Sequence, residues 1–167
     1  MTTHELTKHL VGIPKYPDWI YFFLIFSRFE CALKRSGYAK MNRYNNLEIE
    51  WGRFGQEVKE AFATHDSDEL REAITFLKSK PPKKQVLKNG KLDWDCPNEE
   101  NRDIHSLINA VKRVRNNLFH GGKYPDPTGT VEDPSRNDEL MNNSIIVLKH
   151  LLYSSKEVRD KYFEPLE

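Results

Sequence analysis

The sequence contains only two cysteines, Cys31 and Cys96, and neither lies in a CxxC pair or beside a histidine. Two cysteines cannot form a disulfide framework, so a reduced, cytoplasmic compartment is the simplest expectation. A long hydrophobic run is also missing, because the most apolar stretch, Trp19 to Phe26, has eight residues and a membrane-spanning helix needs about 20. No small-residue cleavage site follows this stretch, so we expect no signal peptide and predict a buried helix instead.

Neither positive nor negative charge is in large excess. Lys and Arg total 26 against 25 Asp and Glu, which gives a formal net charge of +1. Nucleic-acid binding would therefore depend on a local basic patch. Five histidines lack the spacing of metal ligands, so we expect structural or surface roles for them and predict neither a metal nor a cofactor: His4, His9, His65, His105 and His150.

What the chain does have is an aromatic-rich apolar pattern in 167 residues, with three Trp, seven Tyr and nine Phe. This length fits a single domain with one core. Apolar spacing of three and four residues predicts helices at the following positions: 18–36, 46–62, 66–77, 98–118, about 140–152, and a short tail at 155–163. Asn89-Gly90 between two apolar-polar runs predicts a β-hairpin at about 84–95. The predicted fold is all-α, an antiparallel helical bundle of about five helices with a small β-hairpin insertion.

Polar residues are most concentrated at the end of the longest predicted helix, in the segment RVRNNLFHGGKY at 113–124. Arg115 and His120 are five residues apart and would point about 140° away from each other on a regular helix. His120 precedes two glycines, however, and a left-handed Gly121 would turn the chain so that the imidazole approaches the guanidinium. The sequence therefore predicts an arginine–histidine pair at a glycine-terminated helix end.

Such a pair suits cleavage of RNA. The helix dipole favours the protonated form of His120 and the neighbouring arginine disfavours it, so the two effects on its pKa oppose each other. A group that titrates near neutrality suits proton transfer, and an arginine suits a phosphate whose charge grows in the transition state. The ribose 2′-hydroxyl would attack the adjacent phosphate, His120 would move a proton and Arg115 would stabilise the phosphorane, with no metal required.

The run Arg115-Asn116-Asn117-Leu118-Phe119-His120, followed by two glycines, resembles the Arg-x4-His signature of the HEPN superfamily, in which a polar residue commonly follows the arginine. The segment FECALKRSGY at 29–38 is similar to the helix that opens many HEPN domains, with an acidic residue, here Glu30, turned towards the signature. On this resemblance, residues 1–167 form a single HEPN-like domain with a core of about 18–153, and the hairpin is an insertion.

The resemblance implies a homodimer in which two signatures face each other and form one composite RNA-cleaving site. Arg115 and His120 take the catalytic places, Asn116 takes the polar place that orients them, and Glu30 is a partner of Arg115. We therefore expect a metal-independent endoribonuclease, acting as a toxin or phage-defence effector in the cytoplasm. Its partners would be RNA, a second copy of the chain and a separate antitoxin or activator protein, with no membrane association.

Less specific interpretations stay open for the same residues. Arg115 and His120 would otherwise form a helix-end ion pair and cap, and Glu30 would be half-exposed without a role. Lys112, Arg113, Arg115 and Lys123 would form either a phosphate-binding patch or a solvated face. Asn117 would contact substrate beside them, and Tyr124 would stack on a base or pack on its own bundle.

Two other classes of function fit the same fold, because fold does not fix function. One is a catalytically inactive HEPN-like scaffold that binds RNA or a protein. The other is a structural interaction module in which Arg115 and His120 only cap and pair. Cleavage of RNA in the presence of a chelator would distinguish the enzyme from both.

Overall fold

The structure, a computed structural model, describes residues 16–97, 103–119 and 134–165, and these residues carry every structural statement below. They form six helices and two antiparallel hairpins, so the helical fold is confirmed with one helix more than the predicted five or so. In chain order the elements are α1 Tyr16–Arg35, β1 Ala39–Met41, β2 Leu47–Ile49, α2 Trp51–Ala63, α3 Asp68–Ser79, β3 Lys84–Lys88, β4 Lys91–Asp95, α4 Ile104–Phe119, α5 Pro134–Tyr153 and α6 Lys156–Phe163.

The core is built around the aromatic face of α1, whose buried residues recur every three or four positions: Phe22, Phe26, Phe29 and Leu33. Phe29 stacks on Trp51 at a centroid distance of 5.8 Å and meets Phe54 edge to face at 5.7 Å. These contacts join α1 to α2. Helix α5 packs against α3 and α4, and α6 packs against α1.

Helices α2 and α4 approach closely at Gly55. A Cβ atom added there would lie 2.8 Å from Cδ1 of Ile108, so a larger residue would require the Ile108 side chain to move. A glycine inside a helix either weakens that helix or allows a neighbouring helix to come close. Gly55 has the second role, whereas a Cβ at Gly52 would meet nothing within 4 Å.

The predicted hairpin is present as strands β3 and β4, with Lys88 paired to Lys91 across the turn. Asn89 and Gly90 have φ angles of 52° and 74°, as a two-residue turn of the primed type requires. A second hairpin, β1–β2, was not predicted. Its second strand occupies residues that the sequence assigned to a helix beginning at Asn46. Helix α2 begins only at Trp51. The preceding residue, Glu50, donates its backbone amide to the Tyr38 carbonyl at 3.0 Å.

Several helix ends also differ from expectation. Helix α3 begins at Asp68, two residues after the predicted start at Asp66, and Ser67 caps it, because the Ser67 hydroxyl accepts from the Leu70 amide at 3.2 Å. Helix α1 begins at Tyr16, two residues before the predicted start at Asp18, and α5 begins at Pro134, before the predicted start at about Leu140. The predicted tail helix is confirmed as α6. The predicted start of α4 at Asn98, and the glycines predicted to end it, lie outside the described residues.

Candidate arginine site at the end of helix α4

Arg115 lies one turn before the end of α4 and faces Glu30 on α1. Nη2 of Arg115 is 3.8 Å from Oε2 of Glu30, and the two side chains are 31% and 23% exposed. This distance is that of an ion pair and is too long for a hydrogen bond. The structure thus brings together the arginine of the signature and the acidic residue of the first helix.

Two phenylalanine rings flank the same guanidinium. Its carbon lies 5.5 Å from the Phe26 ring centroid and 5.7 Å from that of Phe119. Cation–π contacts at such sites contribute about 0.5–1 kcal/mol each. Arg115 is therefore oriented by a carboxylate and two rings while it keeps an accessible surface.

Lys112 lies one turn earlier on the same face of α4, as the i, i+3 spacing to Arg115 requires. Its Nζ is 5.9 Å from the Trp51 ring centroid. Burial lowers the pKa of Lys112, and the charges of Glu30 and Glu48 oppose that shift. The cations Lys112 and Arg115 thus lie near the carboxylates of Glu30 and Glu48. Glu48 belongs to the hairpin β1–β2, which the sequence did not predict.

The two asparagines of the signature point to different places. Oδ1 of Asn116 accepts from Nη1 of Arg115 at 3.0 Å, so Asn116 contacts the arginine that it was predicted to orient. Asn117 is buried, and its Nδ2 donates to the Lys83 carbonyl at 2.9 Å. Successive residues on a helix are rotated by about 100°, which explains why only one of the two reaches Arg115.

His120, Lys123 and Tyr124 lie outside the described residues, although His120 directly follows Phe119, the last residue of α4. Sequence analysis missed three neighbours of the site, namely Phe26, Trp51 and Glu48. Phe26 is four residues before Glu30 on α1, so helical spacing would have placed it on the same face. Trp51 and Glu48 gave no such signal, because they reach the site through the tertiary fold.

An exposed apolar stripe borders the arginine. Ile20, Phe23 and Leu24 lie on one face of α1 with the spacing i, i+3, i+4, and they are 40%, 41% and 53% exposed. The Phe23 ring contacts Phe119, which is itself 46% exposed, at a centroid distance of 4.9 Å. Grouped exposed apolar residues of this kind commonly mark an interaction surface.

No family model, curated protein or solved structure matches the chain. No helix within residues 16–97, 103–119 and 134–165 combines the length and the apolarity that crossing a membrane needs. In that same part of the chain, no three His, Cys, Asp or Glu side chains group together as metal ligands would.

Proposed function

We propose that the protein is a metal-independent endoribonuclease of the HEPN type that cleaves RNA at a site formed by Arg115 and His120 across a homodimer interface. One observation carries the proposal. Arg115 is held by Glu30, Asn116 and two phenylalanine rings at the end of the helix that His120 directly follows. This arrangement orients a cation while leaving it accessible to a phosphate.

The proposed chemistry needs only side chains. Attack of the 2′-hydroxyl on the adjacent phosphate gives a phosphorane that carries additional negative charge, and Arg115 stabilises it electrostatically. His120 takes the proton of the attacking hydroxyl or gives one to the leaving 5′-oxygen. A pair of such sites in a dimer supplies both a base and an acid, and the products are a 2′,3′-cyclic phosphate and a 5′-hydroxyl.

The apolar stripe supports the dimeric form of this proposal. Ile20, Phe23 and Leu24 would be covered by the same residues of a second copy, as a two-fold interface requires. Because Phe23 contacts Phe119 and Phe119 contacts Arg115, such an interface would bring two Arg115 side chains near its axis. On the resemblance, the enzyme would act as a toxin or phage-defence effector under the control of a separate antitoxin or activator.

The test is cleavage of total cellular RNA by the purified protein in EDTA, followed by analysis of the fragment ends. His120→Ala and Arg115→Ala should each abolish cleavage, whereas the matched controls His65→Ala and Arg71→Ala should retain it. Arg71 is an exposed residue of α3 that pairs with Asp66 and Asp68. Cleavage that survives in His120→Ala would exclude the proposed mechanism.

The same experiment addresses the alternative, a catalytically inactive HEPN-like scaffold that binds RNA or a protein. If the parent protein binds RNA but leaves it intact, both alone and with cell extract as a source of activator, the scaffold is favoured. If it neither cuts nor binds RNA, a structural interaction module is favoured, and Arg115→Ala should then change only the free energy of unfolding.

A further inference from the structure

The segment from the end of α3 through the second hairpin concentrates positive charge. Between residues 78 and 97 the sequence has six lysines and only two acidic residues, Asp93 and Asp95. The whole chain has a formal net charge of +1, so this segment is far more basic than the chain as a whole. The lysines are Lys78, Lys80, Lys83, Lys84, Lys88 and Lys91.

The base of the hairpin is fixed by three side chains that bond three successive carbonyls. Arg136 donates to the Pro81 carbonyl at 3.0 Å and Arg113 donates to the Pro82 carbonyl at 3.4 Å. The Asn117 amide donates to the Lys83 carbonyl at 2.9 Å. Arg113 and Asn117 lie two residues before and two residues after Arg115 on α4, so the hairpin is attached to the helix that carries the candidate site, on the side of that helix away from Arg115.

One face of the hairpin holds most of its charge. The register pairs Lys88 with Lys91 and Lys84 with Asp95, and side chains alternate along each strand, so these four residues share a face. Lys84 and Lys88 are four residues apart on β3, a span of about 13 Å. A row of lysines on a fixed arm is the pattern that follows a phosphate backbone.

Asp93 and Asp95 lie on the same face as Lys84, Lys88 and Lys91, which leaves that face one net positive charge, and both aspartates contact Lys88. Nζ of Lys88 lies 3.3 Å from Asp93 and 3.5 Å from Asp95, and a hydrogen bond to Asp93 together with both negative charges raises the pKa of Lys88. Among the described residues, no carboxylate lies within 4 Å of the exposed Lys78, Lys84 or Lys91 side chains. Their charge is therefore available to an external polyanion.

We infer that Lys84 and Lys91 of the hairpin, together with Lys78 in the last turn of α3, form a basic arm that binds the phosphate backbone of single-stranded RNA. This inference rests on the proposed function for the identity of the polyanion as the substrate. The basic arm would hold the part of the RNA strand that lies outside the cleavage site. The contacts are with phosphates, so the arm contributes affinity and position without reading the base sequence.

The test measures binding apart from cleavage. The probe is a fluorescein-labelled 20-nucleotide 2′-O-methyl oligouridine, which lacks the attacking hydroxyl and so cannot be cut by the proposed route. The dissociation constant is measured by anisotropy at several salt concentrations for the parent and for Lys78→Gln/Lys84→Gln/Lys91→Gln. In a plot of the logarithm of the association constant against the logarithm of the salt concentration, each phosphate contact to a single strand contributes about 0.7 to the steepness of the slope. The slope of the triple variant should therefore be shallower by about 2, and the variant should bind about a hundredfold more weakly at 0.1 M salt.

The matched control is Lys34→Gln/Lys59→Gln/Lys156→Gln, which removes the same charge from exposed positions on α1, α2 and α6. It should bind as the parent does, and thermal unfolding should show that both triple variants fold. An unchanged salt slope in the arm variant, or an equal loss in the control, would overturn the inference. So would a parent protein that does not bind the probe.

The binding and cleavage measurements test the basic arm and the proposed catalytic activity independently. If the parent cuts RNA but the arm variant binds as well as the parent, the proposed function stands and the arm is wrong. If nothing cuts but only the arm variant loses binding, the arm stands and the proposed chemistry is wrong.

Discussion

The ring centroids of Phe23 and Phe119 lie 4.9 Å apart, which makes the exposed apolar stripe of α1 continuous with the end of α4. Phe119 also flanks the guanidinium of Arg115. A partner that covers the stripe would therefore approach the arginine as well. The contact between Phe23 and Phe119 therefore places the proposed dimer interface beside the candidate site.

Leu24→Asp should convert a dimer into a monomer. Leu24 is 53% exposed, so an aspartate there leaves the fold of the monomer intact but places a desolvated charge in the proposed interface. The measurement is molar mass by light scattering at micromolar concentration, and RNA cleavage should be lost together with the dimer.

The control for that variant is Leu87→Asp, because Leu87 is 71% exposed on the β3–β4 hairpin. It should leave the molar mass unchanged. A parent protein that is monomeric at micromolar concentration would contradict the dimeric site.

Glu30→Gln should reduce cleavage at least about tenfold while changing the free energy of unfolding by less than about 1 kcal/mol. The carboxylate is partly exposed and 3.8 Å from Arg115, so its contribution to stability is small. Its contribution to the orientation of the guanidinium is lost when the charge is removed. Cleavage rates and urea denaturation measure the two effects.

The matched variant Glu60→Gln changes an exposed carboxylate elsewhere, on α2. It should alter neither quantity. Equal cleavage by Glu30→Gln and the parent would show that Glu30 does not position Arg115.

Asn117→Ala should lower the free energy of unfolding by about 1–2 kcal/mol and loosen the base of the hairpin. The buried amide bonds the Lys83 carbonyl, and truncation leaves that acceptor without its partner. Hydrogen exchange of the β3 and β4 amides should become faster. The matched control is Asn143→Ala, which removes a partly exposed side chain that donates to the Glu139 carbonyl of its own helix. Its free energy of unfolding should change by less than about 0.5 kcal/mol.

The free energy of unfolding should fall as the pH rises from about 10 to 12, because Tyr38 loses its proton at a lower pH in the unfolded chain than in the folded protein. Burial of the ring, followed by its hydrogen bond to Glu57, raises the pKa of Tyr38 to about 12 in the folded state. The unfolded chain loses this proton near pH 10, so the stability that this shift contributes is fully present below that pH and is lost as the pH rises through the folded value.

Urea denaturation of the parent and Tyr38→Phe between pH 9 and pH 12 tests this linkage. Tyr38→Phe lacks the titrating group, so its stability should fall less steeply than that of the parent. Parallel pH profiles for the two proteins would exclude the linkage.

Local patterns were sufficient for much of the fold. Asn89-Gly90 predicted the β3–β4 hairpin, and the apolar spacing of α1 predicted the buried positions Phe22, Phe26 and Phe29, because each pattern depends on residues close in sequence. The prediction that the whole run Trp19 to Phe26 is buried was wrong in part, since Ile20, Phe23 and Leu24 are exposed. The same kind of pattern misassigned residues 46–50. Leu47 and Trp51 have helical spacing, yet the bond from Glu50 to the Tyr38 carbonyl places this stretch in a hairpin that returns to the end of α1.

The sequence by itself determined which residues could form a site, since it placed Arg115, Asn116 and His120 at one helix end and Glu30 on an aromatic helix. Only the tertiary structure decided what surrounds Arg115 and where Asn117 points. Glu30, Phe26 and Trp51 lie more than 60 residues from the cations that they contact, and Lys83 is 34 residues from Asn117. Helical periodicity fixes the direction of a side chain on its own helix, but the neighbour it meets is set by how the helices pack.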